Sequence, residues 1–136
     1  MVNYAHLLNS HDLKATFQRT QILEVIEKYG HTAIDKIYEE VSKVHSSLSL
    51  ATIYKNIILM VESGVLAEVS IIGSKSKYEI IKDDHIHLIC TECGIVIDKI
   101  LDENTAKDTA KVAEGSSFSL KHRQVNLYGV CDSCQK

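Results

Sequence analysis

Proline is absent from all 136 residues, so no fixed φ stiffens any junction along the chain. No apolar run approaches 18 residues either, which removes a membrane-spanning helix from consideration. The stretch MVNYAHLLNSHDLKA lacks the basic, apolar and small-residue zones of an export signal, and a cytoplasmic location is the expectation. Positive charge is scarce: 15 Lys and Arg against 18 Asp and Glu give a formal net charge of -3. That balance argues against broad electrostatic attachment to nucleic acid, where cations must neutralise phosphates.

The charge that is present is unevenly spread. Residues 13–23, 41–61 and 69–78 carry Lys or Arg and no acid, so any phosphate-facing surface is built there. Acid-free stretches of this length also arise by chance, and charge alone decides nothing. At 45% hydrophobic the chain can bury the core of one domain or of two small ones.

Apolar residues fall at helical spacing over 18–29 (Ile22, Leu23, Ile26, Tyr29) and over 33–44 (Ile34, Ile37, Tyr38, Val41, Val44). Gly30 is a natural terminator of the first helix and Thr32 a candidate cap for the second. A third helix fits 50–63, with Ser49 as N-cap and Ile53, Ile57, Met60 and Val61 on its apolar side. VLAEVSII and KYEII flank GSKS, the pattern of a hairpin with lysines at its tip. Three helices and a basic hairpin follow the order of a winged helix, whose third helix enters the major groove. Many small domains with the same elements never touch DNA.

The composition changes after Asp84. HIHLIC and IVIDKI read as strands turning at TECG, DENTAKDTAKVAEG as a charged helix, and FSLKHRQVNLYGVC as a long final strand. The fold class is therefore α+β, with a small antiparallel sheet in the C-terminal half. The expected domains are 1–82 and 83–136.

The Cys90–Cys93 pair is separated from the Cys131–Cys134 pair by 37 intervening residues. In a reducing compartment, paired Cys-x-x-Cys knuckles bind metal or do redox chemistry. Four thiolates about one Zn2+ fill its coordination sphere, so such a site is structural; redox switching by the two pairs is the competing reading. His85 and His87 lie two apart on a strand and share a face, whereas Cys90 has the opposite parity. One segment can thus serve two metals. Asp98 alternates with apolar Val96 and Ile100, an awkward inward position for a carboxylate without a cation. By pattern alone Glu79 reads as a solvated hairpin residue and His31 as a helix-corner cap or surface residue. His6, His11, His45 and His122 read as surface residues.

LKATFQRTQILEVI, SLATIYKNI, HIHLICTECG and LYGVCDSC together resemble the ferric uptake regulator family over nearly the whole chain. Phe17 and Thr32 stand where that family commonly has proline, and neither departure touches a ligand. The resemblance implies an N-terminal winged helix-turn-helix DNA-binding domain and a small α/β dimerisation domain with a four-cysteine zinc site. It implies structural Zn2+ on Cys90, Cys93, Cys131 and Cys134, and a regulatory Fe2+ or Mn2+ on His31, Glu79, His85, His87 and Asp98. Three imidazoles with two carboxylates suit such divalent ions. A third metal site of some iron regulators is not matched, because Arg123 and Thr105 fall at its ligand positions.

Asp98 resembles the peroxide-sensing branch, while Glu79 leans toward iron sensing. The peroxide branch implies oxidation of His31 or His85 through bound Fe2+. Candidate DNA contacts are Lys14, Arg19, Thr52, Tyr54, Lys55, Lys75 and Lys77, on an inverted-repeat operator bound by a homodimer. The alternatives are an iron-responsive or other metal-uptake repressor and a metal-buffering zinc protein. No His-x-Glu pair precedes either knuckle and no nucleophile–base pattern is present, so the chain is not expected to be an enzyme.

Overall fold

The computed structural model describes residues 3–82 and 84–136; Asp83, where the expected domain boundary falls, lies outside the described residues. The chain divides into two compact units, Met1–Ile81 and Lys82–Lys136.

The first unit begins with a helix absent from the sequence expectation, α1 (Tyr4–Ser10). Asn3 caps it by accepting from the His6 N–H at 3.0 Å, and Leu8 is fully buried. Seven residues with one fully buried side chain leave too little periodicity to read. Helix α2 (Phe17–Tyr29) starts where Thr16 accepts from the Arg19 N–H and buries Ile22, Leu23 and Ile26 completely. It ends at Gly30, whose φ of 82° is costly for residues with a Cβ.

Thr32 is not the cap of the next helix. It begins a two-residue strand, β1 (Thr32–Ala33), and α3 (Ile34–Val44) starts after Ala33 with no side-chain cap bond. Ile37 and Val41 of α3 enter the core, while Val44 is 62% exposed. Helix α4 (Leu50–Glu62) has the expected Ser49 cap, accepting from the Thr52 N–H at 3.1 Å. At its end, Gly64 donates to Val61 and Val65 to Met60, a Schellman closure that requires the positive φ of Gly64. His11 packs on this corner and its Nδ1 lies 3.0 Å from the Ser63 carbonyl oxygen; it is half-buried rather than a surface residue.

The hairpin strands β2 (Leu66–Val69) and β3 (Lys77–Ile80) pair antiparallel, and β1 adds to the other edge of β3, giving the order β1-β3-β2. The core beneath them is Leu8, Ile22, Ile37, Ile53, Met60 and their neighbours. This is a winged helix-turn-helix unit.

The second unit holds β4 (His85–Cys90), β5 (Val96–Ile100), α5 (Glu103–Gly115) and β6 (Val125–Gly129), then a 3-10 turn, Asp132–Gln135. Its sheet order is β5-β4-β6, with β5 antiparallel and β6 parallel to β4. The expected antiparallel sheet is thus corrected to a mixed one. A hairpin reverses the chain into β5, and the α5 crossover returns it in the direction of β4. The long final strand shrinks to Val125–Gly129, because residues 118–124 make no ladder pairs. No helix among the described residues is long and apolar enough to cross a membrane.

Candidate metal centres

In the first unit, the β1–β3 register pairs Thr32 with Tyr78. Antiparallel pairing steps in opposite directions, so His31 meets Glu79. His31 Nε2 lies 2.9 Å from Glu79 Oε2, with side chains 11% and 4% exposed. This corrects both pattern-based expectations: Glu79 is not a solvated hairpin residue, and His31 is not a bare corner residue. A carboxylate carried this far out of water needs a cationic or hydrogen-bonding partner.

In the second unit, β4 pairs His87 with Asp98 on one side and Asn126 on the other. The shared face of His85 and His87 brings their Nε2 atoms to 2.8 Å, and Asp98 Oδ1 lies 3.5 and 3.6 Å from these same two nitrogens. Asp98 does not point inward as expected: its side chain is 33% exposed and its other oxygen meets Lys82 Nζ at 3.0 Å. Ile100, its strand neighbour, is 91% exposed, so the alternation around Asp98 marks no core face in the unit itself. Donors bound to one ion at about 2.1 Å and at right angles stand about 3 Å apart. The His85, His87 and Asp98 separations fit neighbouring positions around one cation.

The four thiol sulfurs of Cys90, Cys93, Cys131 and Cys134 lie within 4.8 Å of one another, and none is in a disulfide. Cys93 and Cys131 sulfurs are 3.8 Å apart, the edge of a tetrahedron with Zn–S near 2.3 Å and well beyond the S–S bond of about 2.05 Å. The site joins the end of β4 to the turn after β6. The backbone N–H groups of Cys131 and Cys93, at 3.3 and 3.5 Å from Cys90 Sγ, pull the Cys90 thiol down to about 6. Hydrogen bonding to Cys131 and Cys93 pushes Cys134 up to about 12. Crowded thiolates repel one another, and a bound dication reverses that repulsion. The donor set fits zinc.

The candidate DNA contacts are less uniform. Tyr54, 52% exposed, and Lys55 project from α4, and Lys14 is exposed before α2. Arg19 is committed inward, its Nε donating to Asn56 and its Nη1 to the Lys14 carbonyl. Thr52 exchanges a hydrogen bond with the Ser49 cap. Lys75 meets Asp35 at 2.6 Å, and Lys77 lies in β3.

The ferric uptake regulator family model matches residues 10–128. The chain belongs to the ferric uptake regulator family. A ferric uptake regulation protein of Bordetella parapertussis is 33% identical over 132 residues, covering 95% of this chain and 94% of that one. The peroxide operon regulator of Bacillus subtilis is 32% identical over 128 residues, covering 91% and 86%. The crystal structure of the Campylobacter jejuni peroxide stress regulator matches at 33% identity and a TM-score of 0.76, covering 98% of this chain and all of the other. Membership in the ferric uptake regulator family makes the protein a metal-dependent transcriptional regulator and not an enzyme.

Three features of the site escape the sequence reading. Asn126 contacts His87 Nδ1 at 2.8 Å, Lys82 holds Asp98, and Arg123 clamps Asp84, the Ala106 carbonyl and Thr109. Thr105 sits in the first turn of α5, its N–H donating to Asp102. No residue pattern announces these contacts, since each depends on the pairing of β4 with β5 or β6 or on the α5 crossover.

Proposed function

We propose that the protein is a homodimeric, metal-dependent repressor that senses hydrogen peroxide by oxidation of its own histidines. The observation that carries the reading is Asp98 opposite His87 across β4 and β5, a carboxylate of the shorter length that marks the peroxide-sensing branch. The residues have distinct roles. Cys90, Cys93, Cys131 and Cys134 hold structural zinc and staple the second unit. His31 and Glu79 from the first unit, with His85, His87 and Asp98 from the second, ligate one regulatory Fe2+ or Mn2+. Ligands drawn from both units let the ion favour one arrangement of them over others, which is what a switch requires.

Held by these five residues, Fe2+ would supply the redox chemistry that activates peroxide, and Mn2+ would not. In the net reaction one H2O2 would oxidise an imidazole by two electrons: a ring C–H of His31 or His85 would become C=O with its hydrogen moved to nitrogen, and the second peroxide oxygen would leave as water. The oxidised ring would be a poorer ligand, and the operator-binding arrangement would be released. On DNA, Lys14 reaches the minor groove and Tyr54 and Lys55 the major groove, with Arg19, Thr52, Lys75 and Lys77 nearer the backbone. The second sheet face supports dimerisation: Ile97 and Leu127 flank Leu88 in one apolar row and are 39% and 53% exposed. Two-fold symmetry then calls for an inverted-repeat operator.

The test loads the zinc-containing dimer anaerobically with Fe2+ or Mn2+, adds peroxide, and follows operator binding and peptide mass. Oxygen addition at His31 or His85 with DNA release, in the Fe2+ sample only, is expected. Intact histidines with DNA still bound support the second reading, an iron-responsive repressor. That reading is favoured by Glu79 and by the Bordetella relative.

A further inference from the structure

The three strands of the second unit carry one transverse row, Asp98, His87, Asn126, because His87 pairs with Asp98 in the antiparallel ladder and with Asn126 in the parallel one. The His87 side chain is 1% exposed, so its ring is held by neighbours rather than by water. Its two nitrogens face different chemistry. Nε2 lies 2.8 Å from His85 Nε2 and 3.6 Å from the Asp98 carboxylate, whereas Nδ1 lies 2.8 Å from Oδ1 of Asn126. An amide oxygen only accepts, so His87 Nδ1 must carry the hydrogen. The Asn126 amide nitrogen donates to Gln124 Oε1 at 3.0 Å, which keeps the oxygen turned toward the imidazole.

We propose that Asn126 is a positioning residue for the regulatory ion: it fixes His87 as the Nδ1–H tautomer and aims the Nε2 lone pair at the metal, with Gln124 holding the amide in register. The inference rests on reading His85, His87 and Asp98 as metal ligands. With His87 Nε2 an acceptor, the contact between the two imidazoles is donated by Nε2–H of His85. A histidine that binds metal through one nitrogen usually hands its other N–H to a carboxylate, a carbonyl or water, and that partner sets the orientation and basicity of the ligand. An amide orients the ring and adds no negative charge. Asn126 therefore sets the affinity below the level a carboxylate at the same place would give.

The test has two readouts on the zinc-containing dimer. Long-range 1H–15N correlation on 15N-histidine protein without regulatory metal reads the tautomer of His87, and anaerobic titration reads Mn2+ affinity. Wild type is expected to show the Nδ1–H tautomer. Asn126→Leu is expected to lose that preference and to weaken Mn2+ binding by about 10–100-fold, with zinc content unchanged. Asn126→Asp is expected to bind Mn2+ more tightly than wild type, a gain that a merely structural role does not produce. An Nε2–H tautomer in wild type overturns the inference, and so does Asn126→Leu with wild-type affinity. A wild-type dimer that takes up no Mn2+ overturns the metal-site reading itself; failure of the inference alone leaves wild type and Asn126→Leu binding Mn2+ equally well.

Discussion

His31 Nε2 and Glu79 Oε2 approach to 2.9 Å because Thr32, a two-residue strand with Ala33, pairs with Tyr78. A buried carboxylate has lost its hydration and gains most from a cation brought to it. Glu79→Gln keeps the size and most of the hydrogen bonding while removing the charge. Mn2+ affinity is expected to fall by about tenfold or more, each tenfold being about 1.4 kcal/mol, with zinc content unaltered. Unchanged affinity in an anaerobic titration would remove Glu79 from the regulatory site.

The zinc knuckles make a separate prediction. The Cys93 sulfur lies 3.8 Å from that of Cys131, and a serine there replaces a thiolate donor with a hydroxyl, a far poorer ligand for zinc. Cys93→Ser is expected to release zinc to a chromogenic chelator and to unfold the second unit, since a structural zinc site contributes about 10–16 kcal/mol of apparent binding free energy. The first unit has its own core and should keep its helical circular dichroism. A fully folded, zinc-free Cys93→Ser protein would contradict a structural role.

Arg123 ties three parts of the second unit together: Nε and Nη2 donate to Asp84 at 2.9 Å, and Nη1 donates to Ala106 and Thr109. Arg123→Met keeps much of the stem and deletes the fork. With Asp84 44% exposed, solvent screening discounts the charged bonds, and a loss of about 1–2 kcal/mol is expected in urea unfolding. A stability equal to wild type would show the clamp to be incidental.

For DNA, Lys55 and Lys75 should behave differently. Lys55 is exposed on α4, whereas Lys75 already lies 2.6 Å from Asp35. Lys55→Ala is expected to weaken operator binding and to reduce the slope of log K against log salt by about 1 per subunit, without changing Mn2+ uptake. Lys75→Ala should do less, because a phosphate there must first compete with Asp35. Equal salt slopes for wild type and Lys55→Ala would remove Lys55 from the interface.

The helices are legible where capping and periodicity agree. Ser49 before α4 and the Ile53, Ile57, Met60 stripe can be read directly, as local interactions within four residues dictate them. The α3 start is misread, because Thr32 looks like a cap and is drawn instead into a ladder with Tyr78. Glu79 and Asp98 exchange their expected environments: Glu79 is 3% exposed while Asp98 faces Lys82. Flanking apolar residues cannot tell which face of a strand another element will cover.

The order of residues alone determined local facts: the Ser49 start of α4 and the Gly30 end of α2, the two-residue parity that puts His85 and His87 on one face, and the Cys-x-x-Cys spacing that lets each knuckle present two sulfurs to one ion. Such features depend on bonds and angles a few residues long. Tertiary structure decided which distant residues became partners: His31 with Glu79, Asn126 with His87, Arg123 with Asp84. Those pairings follow from strand register and from the direction in which α5 returns the chain, and both are set by the burial of whole faces rather than by any short motif.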